Sequence, residues 1–405
     1  MRNAVERFRR NAVMLSVSLV AMLTVWSVLM VQSGWAEEVA KRSEIAEWYQ
    51  GFVDSGEMPG VVYILATPDK ILEAECIGYA NIETKEPISM DHLFWMASTT
   101  KFFTATLMMM LVDEGKINLD DPLDKYIPNF TGYKVAEPLA DGTVLLREPK
   151  TKPTVRQAIS HMSGWRHKTP VMDALGMDSL KLKQHAIVMA MTPMNHDPGT
   201  MFQYSNSGID LVGAVIENVS GMPYEEFLQT RLLDPLGMKD TSLFPSPELQ
   251  KRFATPYDWR DGHLVRDPYH YYRTIPLNDR SIRFAEAGGG LFSTPRDMLK
   301  FLQMMANGGE LNGRRYLSEA AVREMGRRQT PEGMCCYGLG TYPDGDGWFG
   351  HGGSFHTQSD VNVDRKLVKL YMGQVNEHHP TRSKIYREWN AKAKKRLDEL
   401  TGAGK

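Results

Sequence analysis

The chain has 405 residues, of which 42% are hydrophobic, 24% charged and 10% aromatic. That is the composition of an ordinary globular protein and excludes a collagen-like, disulfide-framework or wholly disordered chain. Lys and Arg number 47 against 49 Asp and Glu, a formal charge of -2, so there is no global basic field to hold a nucleic-acid backbone and nucleic acid is not an expected partner. The length allows one large domain or two intimately packed ones.

Residues 1–36 read as a targeting segment rather than as fold. Arg2, Arg7, Arg9 and Arg10 outnumber Glu6, an apolar run follows from Val13 to Val31, and Gly34 and Ala36 suit a cleavage site before Glu37 and Glu38. Its removal would leave roughly 369 residues with a net charge of about -5. The apolar run is about 19 residues, longer than the usual signal core, so an uncleaved N-terminal anchor is the alternative. Either reading sends the chain out of the cytoplasm, to a periplasmic or secreted location, and a membrane is a partner only if the segment stays. Cys76, Cys335 and Cys336 make an odd set with no disulfide framework, and no Cys or His spacing resembles a zinc site. His378-His379 is expected to be a solvated pair rather than a metal ligand. No metal and no cofactor is expected.

In chain order, Arg42 to Val53 is expected to be a helix, and Gly60 to Ala66 and Ile71 to Tyr79 a strand hairpin turning at Pro68-Asp69. Ser98 to Glu114 is helical in pattern and apolar nearly all round, which predicts a buried helix stopping at Gly115. Further helices are expected at Thr154–Met162, Ser179–Met191, Ser207–Val219, Tyr224–Leu233 and Thr294–Asn307. Strands return at Tyr337–Tyr342, Trp348–Gly350, Thr357–Val363 and Leu367–Gly373, and a charged amphipathic helix runs from Arg382 to Leu400. The implied fold class is α/β plus α: a mainly antiparallel sheet flanked by helices, formed by both chain ends, with a mostly helical insertion. The sheet lobe is expected over 41–97 together with 285–405, the helical lobe over 98–284, and the active site between them.

Three short motifs carry chemistry. Ser98-Thr-Thr-Lys101 puts a hydroxyl and an amine one helical turn apart on one face, the spacing of a nucleophile and its activator. It is also the pattern of an ordinary N-cap serine with a first-turn lysine, but no other serine in the chain has a lysine three positions on. Tyr204-Ser-Asn206 stands in a Pro- and Gly-rich loop before a helix, where a phenol can act as a base and an amide can fix a carbonyl or the lysine. Tyr79-Ala-Asn81 has the same spacing but ends a strand, ahead of Ser98. Gly350-His351-Gly352-Gly353-Ser354 near the C-terminus would let a sheet edge approach a ligand closely, so that a backbone N–H can meet an oxyanion. No G-x-S-x-G elbow, P-loop, H-E-x-x-H or G-x-G-x-x-G opening a helix is present.

In that order the three motifs resemble those of the serine β-lactamase and penicillin-binding superfamily: S-x-x-K, then S/Y-x-N, then a late K/H-T/G-G strand. The resemblance is greatest to the class C branch with its esterase and D-amino-acid peptidase relatives. It extends to Asp120–Pro128, Thr154–Gly164 and Ala287–Pro295, and covers roughly Ile45 to Gln374. It implies that Ser98 forms an acyl-enzyme while Lys101 and Tyr204 manage its proton, and that Asn206 orients the lysine and the substrate. It further implies that the backbone N–H groups of Ser98 and Ser354, with Gly352 and Gly353, form the oxyanion and substrate wall beside His351. His351 stands where many penicillin-recognising members have lysine, and histidine is mostly neutral near pH 7. The expected substrate is therefore a small-molecule ester more than a β-lactam. A D,D-carboxypeptidase or D-aminopeptidase acting on cell-wall peptide, a β-lactamase, and a sensor that stays acylated are the alternatives. Thr255–Arg280, with Trp259, Tyr269, Tyr271 and Tyr272, is either an acyl-pocket wall or a surface crossover.

Overall fold

The computed structural model describes residues 42–176, 178–267, 277–376 and 378–402. The targeting segment and Tyr269, Tyr271 and Tyr272 lie outside them. By its contacts the chain divides after Glu47, and the residues from Trp48 onward form one compact unit.

β1 (Gly60–Ala66) is Val- and Ile-rich and buried at every residue, which is what a central strand covered on both faces requires. β2 (Ile71–Asn81) and β3 (Glu86–Pro87) extend the sheet on one side of it. β4 (Tyr342–Pro343), β5 (Trp348–Gly353), β6 (Thr357–Asn362) and β7 (Leu367–Gly373) build the other, in the spatial order β4-β5-β6-β7-β1-β2-β3. Every pairing is antiparallel, with Val62 opposite Met372 on β7 and Cys76 on β2. The sheet thus joins the two ends of the fold, β1 lying directly against β7. Alternate residues of β1 face opposite ways. Val62, Ile64 and Ala66 enter the main core. Tyr63 turns to the other face, where Tyr49 of helix α1 (Glu44–Asp54) and Trp389 of helix α7 (Arg382–Thr401) lie at ring-centroid distances of 6.0 and 5.9 Å.

The core face is filled by helix α2 (Thr100–Asp113) and helix α5 (Pro295–Ala306). α2 is buried along nearly its whole length, as its all-round apolarity demands. Phe103 stacks on Phe301 of α5 at 4.0 Å and Phe102 meets it edge-on at 5.0 Å. Two polar side chains tolerate this burial by bonding within the fold. The Thr106 hydroxyl donates to the Phe102 carbonyl one turn back, and that of Thr104 to the carbonyl of Ala287. Between α2 and α5 come helices α3 (Leu182–Met191) and α4 (Asn206–Ser220), with shorter turns such as Val155–Ile159. That turn starts in a capping box, Thr154 accepting the Gln157 N–H while the Gln157 side chain accepts the Thr154 N–H, an arrangement worth about 1 kcal/mol. Helix α6 (Glu319–Gly326) follows α5.

Several boundaries differ from expectation. Ser98 does not open α2: it lies in a separate 3₁₀ turn, Ala97–Thr99, just before it. Tyr337–Thr341 is not strand, and only Tyr342–Pro343 pairs; the Gly338 and Gly340 backbones instead press on neighbours that a side chain would strike. β5 runs on through Gly353 because its glycines leave room for the adjoining backbone. Hairpins at Val135–Pro138/Val144–Arg147 and Tyr257–Arg260/His263–Arg266 occupy stretches for which no strand was expected. His379 is not solvated: it is 3% exposed and meets Trp259 edge-on at 4.6 Å, whereas His378 is exposed.

Candidate active site

Ser98 sits in the turn between a buried two-residue strand, Phe94–Trp95, and α2. Ala97, immediately before it, has φ +44°, a left-handed conformation that costs a non-glycine residue about 1–3 kcal/mol and marks a position held for function. The turn leaves the serine half-buried at the rim of a cavity of about 550 Å³. Its walls include Tyr204, His351, Gly352, Gly353, Ser354, Gln358 and, from the start of α7, Arg382 and Arg387.

Lys101, one turn into α2, is wholly buried. Its ammonium nitrogen lies 3.1 Å from Ser98 Oγ and 2.7 Å from the Gly288 carbonyl, with the Tyr204 ring centroid 4.7 Å away. Burial drives its pKa down from the usual lysine range to about 7, against the opposing pull of Glu286 and Asp210. An amine divided between its two protonation states at neutral pH can take the serine proton and return it. The Gly288 carbonyl is itself fixed. Asp210 on α4 accepts the Ala287 N–H at 3.0 Å, Thr104 donates to the Ala287 carbonyl at 2.6 Å and the Trp95 indole to the Gly289 carbonyl at 2.7 Å.

Tyr204 and Asn206 flank Ser205, whose hydroxyl caps α4 by accepting the Gly208 N–H at 2.9 Å. The cap explains why the tripeptide sits at a helix start: it turns Tyr204 toward the cavity and sets Asn206 on the first helical residue. Asn206 packs against Gly288, where a Cβ would come within 3.1 Å of its Cγ, and its buried Oδ1 has no hydrogen-bond partner. It stands on the same wall as Lys101 without bonding to it, so the expected orienting bond to the lysine is not formed here. A buried amide oxygen without a partner is a group that a donor has still to satisfy. Tyr79-Ala-Asn81 lies on β2 and at its end, outside the cavity lining.

β5 brings its glycines onto the turn that carries Ser98. Thr99 donates to the His351 carbonyl at 3.3 Å, and a Cβ on Gly353 would stand 2.3 Å from the Met96 carbonyl oxygen. Only glycine permits that approach. Ser98 and Ser354 consequently line one cavity, as two backbone donors to a shared oxyanion must. His351 is 2% exposed and lies beside Tyr204, at a ring-centroid distance of 6.3 Å, while its hydrogen bonds go elsewhere: Nε2 is 3.1 Å from the Tyr337 hydroxyl and Nδ1 is 2.6 Å from the Gly352 carbonyl. Burial, then the Lys101 charge, lowers its pKa to about 3, so it is a neutral imidazole. Tyr204 also rests against His161, at a ring-centroid distance of 4.3 Å, and stacks with His167 at 5.8 Å.

Of the expected residues, Ser98, Tyr204, His351, Gly352, Gly353 and Ser354 line one cavity, Lys101 reaches Ser98 from beneath it, and Asn206 meets Lys101's partner Gly288. Sequence reading missed His161, Tyr337, Gly288 and the arginine pair of α7. Two of these lay in stretches already singled out, His161 in Thr154–Gly164 and Gly288 in Ala287–Pro295. Arg382 and Arg387 had no signal beyond a charged helix. Trp259 packs against His379 and is not among the cavity residues. Among the described residues no group of three or more His, Cys, Asp or Glu could hold a metal ion, and no helix is long and apolar enough to cross a membrane.

The beta-lactamase family matches residues 45–393, nearly the whole described chain. The chain belongs to the beta-lactamase family. Protein Rv1367c of Mycobacterium tuberculosis is 32% identical over 282 residues, covering 67% of this chain and 68% of that protein. Esterase EstB of Burkholderia gladioli is 28% identical over 317 residues, 72% of this chain and 74% of its own. Among solved structures, simvastatin synthase (LovD) from Aspergillus terreus superposes with a TM-score of 0.71 over 86% of this chain and 96% of its own. At 21% identity that likeness concerns the fold alone. As a beta-lactamase family member the chain has the fold of serine hydrolases that include esterases.

Proposed function

We propose that this beta-lactamase family protein is an exported serine hydrolase that works through an acyl-enzyme on Ser98, with a small-molecule carboxylic ester as substrate. The observation that carries the reading is the buried Lys101 amine, 3.1 Å from Ser98 Oγ and with its pKa lowered to about 7. In the acylation step the neutral amine takes the Ser98 proton as Oγ attacks the ester carbonyl. The N–H groups of Ser98 and Ser354 receive the negative charge that develops on the carbonyl oxygen. The ester C–O bond then breaks, and the alcohol leaves with a proton delivered through Lys101 and Tyr204. Water next attacks the acyl carbonyl, giving its proton back through the same pair, and the acid departs with Ser98 restored. Asn206, whose Oδ1 is unpartnered, would receive a donor on the substrate.

Two features support an ester. EstB is an esterase, and His351 is neutral and turned away, so it offers no cation to a substrate carboxylate. One feature favours a second reading, a D,D-peptidase or β-lactamase acting on cell-wall peptides or penicillins: Arg382 and Arg387 bring positive charge to the cavity wall by another route. Side-by-side assay of the wild type and Ser98→Ala with p-nitrophenyl butyrate, a labelled penicillin, a D-Ala-D-Ala peptide and a fluorophosphonate separates these. The ester reading expects continuing turnover of the butyrate and weak penicillin turnover, both abolished in Ser98→Ala. Full activity in Ser98→Ala refutes it, D-alanine release favours the second reading, and one equivalent of product without turnover marks a sensor. Export is checked by fractionating cells that express the full chain.

A further inference from the structure

The buried groups around the site include one chain whose members no step above uses. The Ser205 N–H, part of the peptide that joins Tyr204 to Ser205, donates to His161 Nδ1 at 3.1 Å. His161 Nε2 lies 3.1 Å from the Tyr337 hydroxyl, that hydroxyl lies 3.1 Å from His351 Nε2, and His351 Nδ1 lies 2.6 Å from the Gly352 carbonyl. His161 and Tyr337 are fully buried, and His351 is nearly so.

The two ends fix the direction of the whole chain. A backbone N–H can only donate, so His161 Nδ1 is an acceptor; a neutral imidazole has one hydrogen, so its Nε2 carries it. A backbone carbonyl can only accept, so His351 Nδ1 carries the hydrogen and its Nε2 is bare. Tyr337 sits between with one hydrogen and must accept from His161 and donate to His351. Phenylalanine would fill the same space and break both links. The fold also holds His161 at φ +61°, a strained conformation for a histidine, to aim its ring at Tyr337.

We propose that Tyr337 is a positioning residue: through His161 and His351 it ties the Tyr204 loop to the glycine strand that ends at the oxyanion site. The link matters at the glycine end. The Gly352-Gly353 backbone has little intrinsic stiffness, and each carbonyl along it is held from a side chain. That of His351 accepts from Ser359 at 3.0 Å, that of Gly352 from the His351 ring, and that of Gly353 from Arg382 at 3.1 Å. Losing the middle link frees the Gly352 peptide plane, and with it the Ser354 N–H two residues on, while Tyr204 loses its register to the strand. Displacements of this kind act on the transition state more than on substrate binding.

The inference rests on Ser98 chemistry for its kinetic arm only. In the full chain labelled with ¹⁵N-histidine, the ring resonances of His161 and His351, assigned by His161→Gln and His351→Gln, report the tautomers directly and need no substrate. The expected pattern is Nε2–H for His161 and Nδ1–H for His351, both neutral at pH 7. Tyr337→Phe is expected to abolish that pattern at His351 and to lower kcat for p-nitrophenyl butyrate 10- to 100-fold, with KM within about twofold. Replacing Tyr337 with 3-fluorotyrosine, which keeps the donor, is expected to retain wild-type kcat. An Nε2-protonated or charged His351 in the wild type overturns the proposal, even if Tyr337→Phe does not fold. So does a folded Tyr337→Phe with unchanged tautomers and kcat. Loss of the Ser98 reading alone leaves the spectra to decide.

Discussion

The pH dependence of turnover is the sharpest consequence of the buried lysine. If the neutral Lys101 amine takes the Ser98 proton, activity tracks its unprotonated fraction. With a pKa of about 7, that fraction is roughly one tenth at pH 6, one half at pH 7 and nine tenths at pH 8. kcat/KM should therefore rise about fivefold from pH 6 to 7 and less than twofold from pH 7 to 8, with an ordinary lysine instead giving a tenfold rise per unit up to pH 9. The cause can be tested as well as the value. Glu286 and Asp210 are the anions that hold the lysine's charge against burial, and Glu286 is itself pushed up to about 8, first by burial and then by Asp210 and Asp178. Glu286→Gln removes a group that is only partly ionised near neutrality. It should move the ascending limb to lower pH by less than about one unit, or on the order of 1 kcal/mol. The assay is initial-rate hydrolysis of p-nitrophenyl butyrate from pH 5 to 9, corrected for spontaneous hydrolysis, in constant-ionic-strength buffers. A flat profile from pH 5.5 to 8, or a limb that moves to higher pH in Glu286→Gln, refutes the role of the neutral amine.

Other expectations follow from the same geometry. Gly353→Ala would set a Cβ 2.3 Å from the Met96 carbonyl oxygen, so kcat/KM should fall by about 100-fold or more while far-UV circular dichroism is unchanged. Trp389→Ala opens a cavity beside Tyr49, Tyr63 and Tyr371 and should cost about 3–5 kcal/mol in urea unfolding. Arg387→Ala, on the exposed cavity rim, should weaken acylation by a labelled penicillin several-fold at low salt and leave p-nitrophenyl butyrate unaffected; equal effects on both would remove charge recognition as its role.

Some of this was legible in the order of residues. Ser98 and Lys101 could be paired because helical spacing alone brings them onto one face, and β1 could be placed because seven consecutive residues from Gly60 to Ala66 suit only a buried strand. Tyr204-Ser-Asn206 was readable as a helix entry because Ser205 is a capping residue. His351 was found, but its partner was not. Its ring does lie near that of Tyr204, at 6.3 Å, but its hydroxyl partner is Tyr337, fourteen residues earlier in what read as a strand. The Gly338 and Gly340 backbones meet Met325 and Lys101 there, so tertiary crowding rather than strand propensity sets that segment. His379 was misread for the same reason: nothing near it in sequence announces that Trp259 will cover it.

By itself, then, the sequence determined the local periodicities: most of the helices and sheet strands, which helix is buried and which three short motifs carry reactive groups. These depend on neighbours within about one turn, so the chain order encodes them. The register of β1 against β7, the lowered lysine pKa, the unpartnered Asn206 oxygen and the His161–Tyr337–His351 chain were decided only in the folded structure. Each is a matter of desolvation or of a contact between residues far apart in the chain, and neither exists until the backbone has brought them together.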